Sequence, residues 1–183
     1  MSRIQAIHPD EAQGSARSML TAVQASLGIV PNMFLVAANS PAALEALTVA
    51  SGALAKGFVG AGVREAIALT VAEANGCDYC LSAHTALGNG AGLSEADIEN
   101  ARHGRATEAK VDTILTFSRS LVLNRGRVGN AEIEDLRRAG VTNGEIVEIV
   151  AVVALNIFTN YLNQTADTDI DFPVVRAGLP LAA

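Results

Sequence analysis

The chain has 183 residues, half of them hydrophobic, with a net charge of −6, no tryptophan and only two tyrosines and five phenylalanines. That length suits one domain, and the acidic, aromatic-poor composition excludes nucleic acid as a partner, because phosphate contacts need clustered Lys and Arg and single strands need stacking rings. The two cysteines, Cys77 and Cys80, are too few and too close for a secreted scaffold stapled by disulfides.

The opening MSRIQAIHPDEAQ has no apolar stretch of signal-peptide length and carries early acids, so a cytoplasmic protein is expected. Pro9 with Asp10 and Glu11 predicts a helix running through Ala16, Met19, Leu20 and Val23 to Gly28. Gly28 to Asn39, with Pro31 and Asn32, reads as a connector. Ser40 and Pro41 form a cap and first-turn pair for a second helix, in which Leu44, Leu47 and Leu54 keep phase up to Gly57.

From Val63 to Asn75 the apolar positions fall on both sides of the helix, Val63, Ile67 and Val71 on one and Leu69 and Ala72 on the other, which predicts burial nearly all round. Asn75 and Gly76 break this helix, and Cys77 opens the next, through His84, Leu87 and Gly88. Ser94 with Asp97 and Thr142 with Glu145 have capping-box spacing, and Thr107 to Leu123 between them is helical in period. The apolar run Ile146 to Phe158 is shorter than the roughly 20 residues that span a bilayer and is interrupted by Glu148 and Asn156, so a buried helix and no membrane partner are expected. After Asn163 the polar run TADTDID and Pro173 predict an irregular arm. With no alternating β pattern and no linker, the chain reads as all-α and single-domain. The letters AGV at Ala61 and Ala139, each before a long apolar helix, hint at a duplicated helix pair.

The chemistry gathers at Cys77-Asp-Tyr-Cys80-Leu-Ser-Ala-His84. Positions three and four apart share a helix face, so both cysteines and His84 form one stripe. The stripe starts at a helix N-terminus, where unpaired N–H groups and the dipole favour a thiolate, and His84 can exchange a proton with Cys80 one turn earlier. Glu65 and Glu73 lie in an apolar setting on the preceding helix, where an acid needs a partner. An antiparallel pair of helices brings Glu65 within water-bridging reach of His84, while Glu73 sits too near the bend and is the second choice.

Glu65, eleven residues, then Cys77-x-x-Cys80-x-x-x-His84 resembles the signature of the alkylhydroperoxidase D-like family, within the carboxymuconolactone decarboxylase-like superfamily. VPNMF at Val30 to Phe34, VAEANGCDYCLSAH at Val71 to His84 and NYLNQTADTDIDFP at Asn160 to Pro173 are similar to its peroxidase-related branch. The resemblance implies a compact helical bundle with its core over residues 40–165, the N-terminal helix and C-terminal arm packing on it or on a neighbouring subunit. It implies a peroxide reductase with no bound cofactor or metal. Cys80 would be the peroxidatic thiol, His84 its base, Glu65 the far end of the proton relay, and Cys77 the resolving thiol facing the reductant. The hydroperoxide is then the substrate, an external dithiol such as a lipoylated protein the reductant, and a homo-oligomer, trimer or hexamer, the assembly. Better-known members carry a second His between the cysteines, where this chain has Tyr79.

Competing readings are a zinc half-site of Cys77, Cys80, His84 and a carboxylate, which lacks the usual second knuckle; two cysteines that merely fill the core of a non-enzymatic helical interaction protein; and a lactone decarboxylase-like enzyme of the same superfamily, against which both retained thiols argue. Asn156, Asn160 and Asn163 read as satisfied core amides at a helix or subunit contact ahead of a pocket lining. Tyr79 reads equally as packing or as a gate over the thiols. His8 and His103 read as surface residues without partners at helical spacing.

Overall fold

A helix that is apolar on every side has to be enclosed by others, and Ala66 to Ala72 are all buried. In the computed structural model, which describes residues 2–178, they belong to the fourth of nine helices among those residues. The order is α1 (Gly14–Leu27), α2 (Asn32–Ala37), α3 (Pro41–Leu54), α4 (Ala61–Ala74), α5 (Asp78–Gly90), α6 (Glu95–Arg102), α7 (Ala109–Leu123), α8 (Asn130–Arg138) and α9 (Asn143–Ala166). The fold is all-α, as expected. Helices α5, α6, α7 and α9 pack around α4. The hydroxyl of Thr70, the polar residue in this buried run, reaches the carbonyls of Ala66 and Ala101. A second apolar cluster joins α1, α2 and α3 through Leu20, Ala37, Leu44 and Leu47, and Leu155 and Leu162 of α9 pack against it.

The caps fall where the spacing puts them. Ser40 accepts from Ala43 N–H with Pro41 in the first turn, and both capping boxes, Ser94 with Asp97 and Thr142 with Glu145, are closed reciprocally. Each cap is worth about 1 kcal/mol. Gly57 is required by a close approach: the carboxylate of Glu148 accepts from Phe58 N–H and Val59 N–H, and a Cβ at Gly57 would collide with it. Glu148, which interrupts the apolar run of α9, thereby ties the α3–α4 loop to that helix.

Four expectations are corrected. The first helix starts at Gly14, because His8 to Ala12 close a turn onto the His8 carbonyl. The expected connector contains α2, a single short helix whose Pro31 carbonyl accepts from Phe34 N–H. Helix α9 runs to Ala166, ending where Asp167 turns left-handed; at 24 residues it is long and apolar enough to span a membrane, although it packs against α2, α3, α4, α5 and α7. The AGV letters are not equivalent, since Ala61 opens α4 while Ala139 caps the end of α8. The arm after Asp167 is irregular and docks on its own chain, where Val175 N–H donates to Ser82 Oγ, Ala177 N–H to Asp78 and Gly178 N–H to Glu73.

Candidate active site

The bend that joins α4 to α5 sets the site. Gly76 adopts a left-handed φ of 66°, and Cys77 N–H donates to Ala72 O at 2.9 Å, closing α4 before α5 begins. Cys77 is the N-cap of α5, and its Sγ accepts from Cys80 N–H at 3.4 Å. A sulfur therefore does the work that a Ser or Asp oxygen does at other caps. Cys77 is 1% exposed, and its sulfur lies 3.9 Å from the carbonyl of Asn160.

Cys80, in the first turn of α5, is also buried but lines a cavity of about 600 Å³ between α1, α3, α4, α5 and α9. Most of the cavity wall is apolar, with Met33, Phe34, Leu47, Leu54 and Phe172. Asn163 of α9 donates its Nδ2 to Cys80 Sγ at 3.3 Å. The Cys80 thiol is pulled down to about 6, first by the hydrogen bond from the Cys77 thiol and then, against the cost of burial, by the charge of His84 and the amides of Asn163 and Asn160. The Cys77 thiol moves up for the complementary reason, since it donates to Cys80, is buried and faces a neighbouring negative sulfur.

His84 follows one turn later, and its Nδ1 meets Glu65 Oε2 at 2.8 Å. The contact is direct, with no water between. Burial alone would lower the imidazole, but the Glu65 carboxylate, by charge and by hydrogen bond, and the Cys80 sulfur outweigh it and raise the pKa. His84, Glu65 and Cys80 all line the cavity; Cys77 does not. The expectation that Cys77 faces a reductant differs from this arrangement, in which α5 and α9 enclose its sulfur. Glu73, the second choice for the relay, is engaged by Arg102 at 2.9 Å and by Gly178 N–H at 2.7 Å, and does not line the cavity.

Tyr79 is packing with a polar anchor. Its hydroxyl accepts from Met33 N–H at 3.1 Å, and its ring meets Phe172 edge-on. Burial pushes its phenol well above the usual range, so it holds its proton where a histidine would titrate. Among the described residues, no group of three or more His, Cys, Asp or Glu side chains converges as a metal site, so the zinc set considered above is not assembled. His103 does have a partner at helical spacing, Glu99 at 3.5 Å.

The asparagine stripe is where sequence reasoning fell short. Asn156 is a satisfied core amide, donating to Val152 O, but it also lines the cavity. Asn160 accepts from Asn75 at the bend, while its own Nδ2 makes no hydrogen bond of normal geometry. Asn163 holds the sulfur that faces the cavity, and its Oδ1 is buried without a partner. An amide with one end on a sulfur and the other end free can serve a later, protonated oxygen on that sulfur. The signal available was three amides in phase on an apolar helix.

Residues 41–121 match the Carboxymuconolactone decarboxylase family, a span that contains Glu65, Cys77, Cys80 and His84 and leaves out Asn163. The sequence matches none of the curated proteins. Among solved structures, the chain is similar to the alkylhydroperoxidase AhpD core of an uncharacterized peroxidase-related protein from Ralstonia eutropha JMP134, at 25% identity over 93% of this chain and 92% of that one, with a TM-score of 0.84. An uncharacterized peroxidase-related protein from Silicibacter sp. TM1040 is 23% identical over 91% of each chain, with a TM-score of 0.79. A cysteine-to-alanine variant of the debrominase Bmp8, in complex with 2,3,4-tribromopyrrole, has the same fold at 18% identity over 92% of this chain and 91% of that one, with a TM-score of 0.79.

Proposed function

The chain belongs to the alkylhydroperoxidase D-like and carboxymuconolactone decarboxylase-like superfamily, a superfamily of enzymes, and from that premise we propose that it reduces hydroperoxides with its own thiol pair. The observation that carries the reading is Cys80, lining an apolar cavity with its sulfur on the Asn163 amide, one turn from a His84 that bonds Glu65. The thiolate attacks the terminal oxygen of R–O–OH; the S–O bond forms as the O–O bond breaks, and the leaving alkoxide takes a proton from the His84 imidazolium to depart as the alcohol. Cys80 is then a sulfenic acid, whose hydroxyl has the free Oδ1 of Asn163 beside it. The Cys77 thiol attacks that sulfur, its proton leaves with the hydroxyl as water, and a Cys77–Cys80 disulfide remains for an external dithiol, such as a lipoylated protein, to reduce.

The reading includes no bound cofactor or metal, a cytoplasmic setting and no membrane or nucleic-acid partner. A second copy of the chain is the other expected partner, because Val147, Val150, Phe158 and Tyr161 leave one face of α9 apolar and exposed. The test is loss of free thiol on adding cumene hydroperoxide, slowed by Cys80→Ser. An unchanged thiol titre with excess hydroperoxide removes the proposal.

The debrominase with the same fold supports a second reading, reductive dehalogenation of an apolar haloaromatic in this cavity. Thiol-dependent release of bromide from a bromopyrrole, with no response to hydroperoxides, selects it.

A further inference from the structure

The cavity holds one charged side chain that the proposed chemistry does not use. Arg64 precedes Glu65 on α4, is partly buried and lines the same cavity. Its Nη1 donates to Val59 O at 2.5 Å. Among the described residues no carboxylate lies within ion-pair distance of it, so one of its five N–H donors is engaged and the rest remain for a ligand. The surroundings sharpen that selectivity. Leu54, Leu87 and Phe34 line the same cavity, and in apolar surroundings a planar guanidinium favours a carboxylate, which it can grip with two parallel hydrogen bonds.

Its distance from the sulfur follows from the pairing of the two helices. His84 bonds Glu65, and a Cβ at Gly88 would lie 3.9 Å from that of Glu65, so Arg64 stands level with residues 84 to 88 of α5. That places the Arg64 backbone one to two turns beyond Cys80, roughly 6 to 12 Å along the helix axis, and the bond to Val59 O carries the guanidinium further from the sulfur. Cys80 is 2% exposed, whereas Leu87, Leu27 and Ile29 on the wall of the same cavity are 41%, 46% and 50% exposed.

The geometry points to a hydroperoxide that carries its own carboxylate, an acid of the fatty-acid type, with the carboxylate on Arg64 and the O–O bond at Cys80. With the guanidinium turned toward Val59 the span from sulfur to guanidinium corresponds to roughly eight bonds of extended chain or more, and 600 Å³ accommodates the apolar remainder. Arg64 is in this view the specificity-determining residue of the site. The inference rests on the peroxidase reading for its reaction but not for its anchor.

The experiment therefore has two arms. In the first, thiol loss is followed with the 9-hydroperoxide of linoleic acid and with its methyl ester, both below their critical micelle concentrations. The acid is expected to react about ten-fold faster than the ester or more in the wild type, the ratio to collapse toward one in Arg64→Gln, and Arg64→Lys to lie between. A ratio near one in the wild type, with both compounds consuming thiol, overturns the inference, as does a ratio that Arg64→Gln leaves unchanged. The second arm contains no peroxide: nonanoate and nonanol are compared for slowing the alkylation of Cys80 by iodoacetamide. Protection by nonanoate that Arg64→Gln abolishes supports the carboxylate anchor even if neither hydroperoxide reacts, a result that would end the peroxidase reading alone. Equal protection by the acid and the alcohol overturns the anchor.

Discussion

Asn163 and Cys80 are 83 residues apart in sequence and 3.3 Å apart in space, amide nitrogen to sulfur. The contact ties the charge state of the thiol on α5 to the placement of α9. Hydrogen bonds to charged groups are worth about 1.5 to 3 kcal/mol, and one pKa unit corresponds to about 1.4 kcal/mol. Asn163→Leu, which removes the donor and keeps the bulk, is expected to move the midpoint of Cys80 alkylation up by about one pH unit or more. An unmoved midpoint would mean that the amide does not hold the thiolate.

The wild-type profile should itself rise through about pH 6 and be level by neutrality, since Cys80 is pulled down to about 6 by its partners. His84→Gln removes a positive charge that favours the thiolate, so the midpoint moves upward. Glu65→Gln acts one step removed: without the carboxylate the imidazole pKa falls, less positive charge faces the sulfur, and the Cys80 midpoint again rises. Stopped-flow alkylation of the three proteins from pH 5 to 9 checks the sign of both shifts, and coincident curves would take the relay out of the mechanism.

Glu73 makes the contrasting case. Its carboxylate and Arg102 are both largely buried, at 8% and 12% side-chain exposure, and removing the carboxylate leaves Arg102 with Glu99 at 3.5 Å and the Arg176 carbonyl. Glu73→Ala is expected to lower stability by on the order of 2 kcal/mol and to leave the pH profile of Cys80 where it was. Urea denaturation and alkylation on the same sample separate the two effects. A displaced profile would promote Glu73 from scaffold to relay.

The exposed face of α9 predicts self-association. Val147 is 70% exposed and Phe158 38%, an apolar display that isolated chains seldom keep. Light scattering at micromolar concentration is expected to give an oligomer, and Phe158→Glu to shift it toward the monomer. A monomeric wild type removes the interface.

The sequence made the local features readable because each depends on residues close in the chain. The capping boxes at Ser94 and Thr142, the break at Gly76 and the stripe of Cys77, Cys80 and His84 all follow from spacings of three or four. Glu65 reaches His84 across a single bend, so the antiparallel pairing of two adjacent helices was enough to bring them together. Helix α8 escaped notice because Leu136 is the only buried residue in it, which leaves little apolar period to detect. Helix α2 spans six residues, less than two turns, and Pro31 and Asn32 look like turn residues. Asn163 could be seen as a buried amide but not assigned to Cys80, since no local rule sets which face of α9 meets α5. Arg64 carried no signal beyond its charge until the cavity wall was drawn around it.

The sulfur cap at the start of α5 has a consequence for redox balance. Cys77 accepts the Cys80 N–H as a thiol or thiolate, and once that sulfur is bonded to its neighbour it becomes a poorer acceptor. The reduced pair thus keeps a cap worth about 1 kcal/mol that the oxidised pair gives up. In the proposed cycle, a two-electron couple, this would raise the midpoint potential by roughly 20 mV and make the bridge easier to open. Cys77→Ser retains a capping oxygen and Cys77→Ala does not, so the second variant should unfold at lower urea concentration than the first; equal midpoints would mean that the helix never leaned on its sulfur.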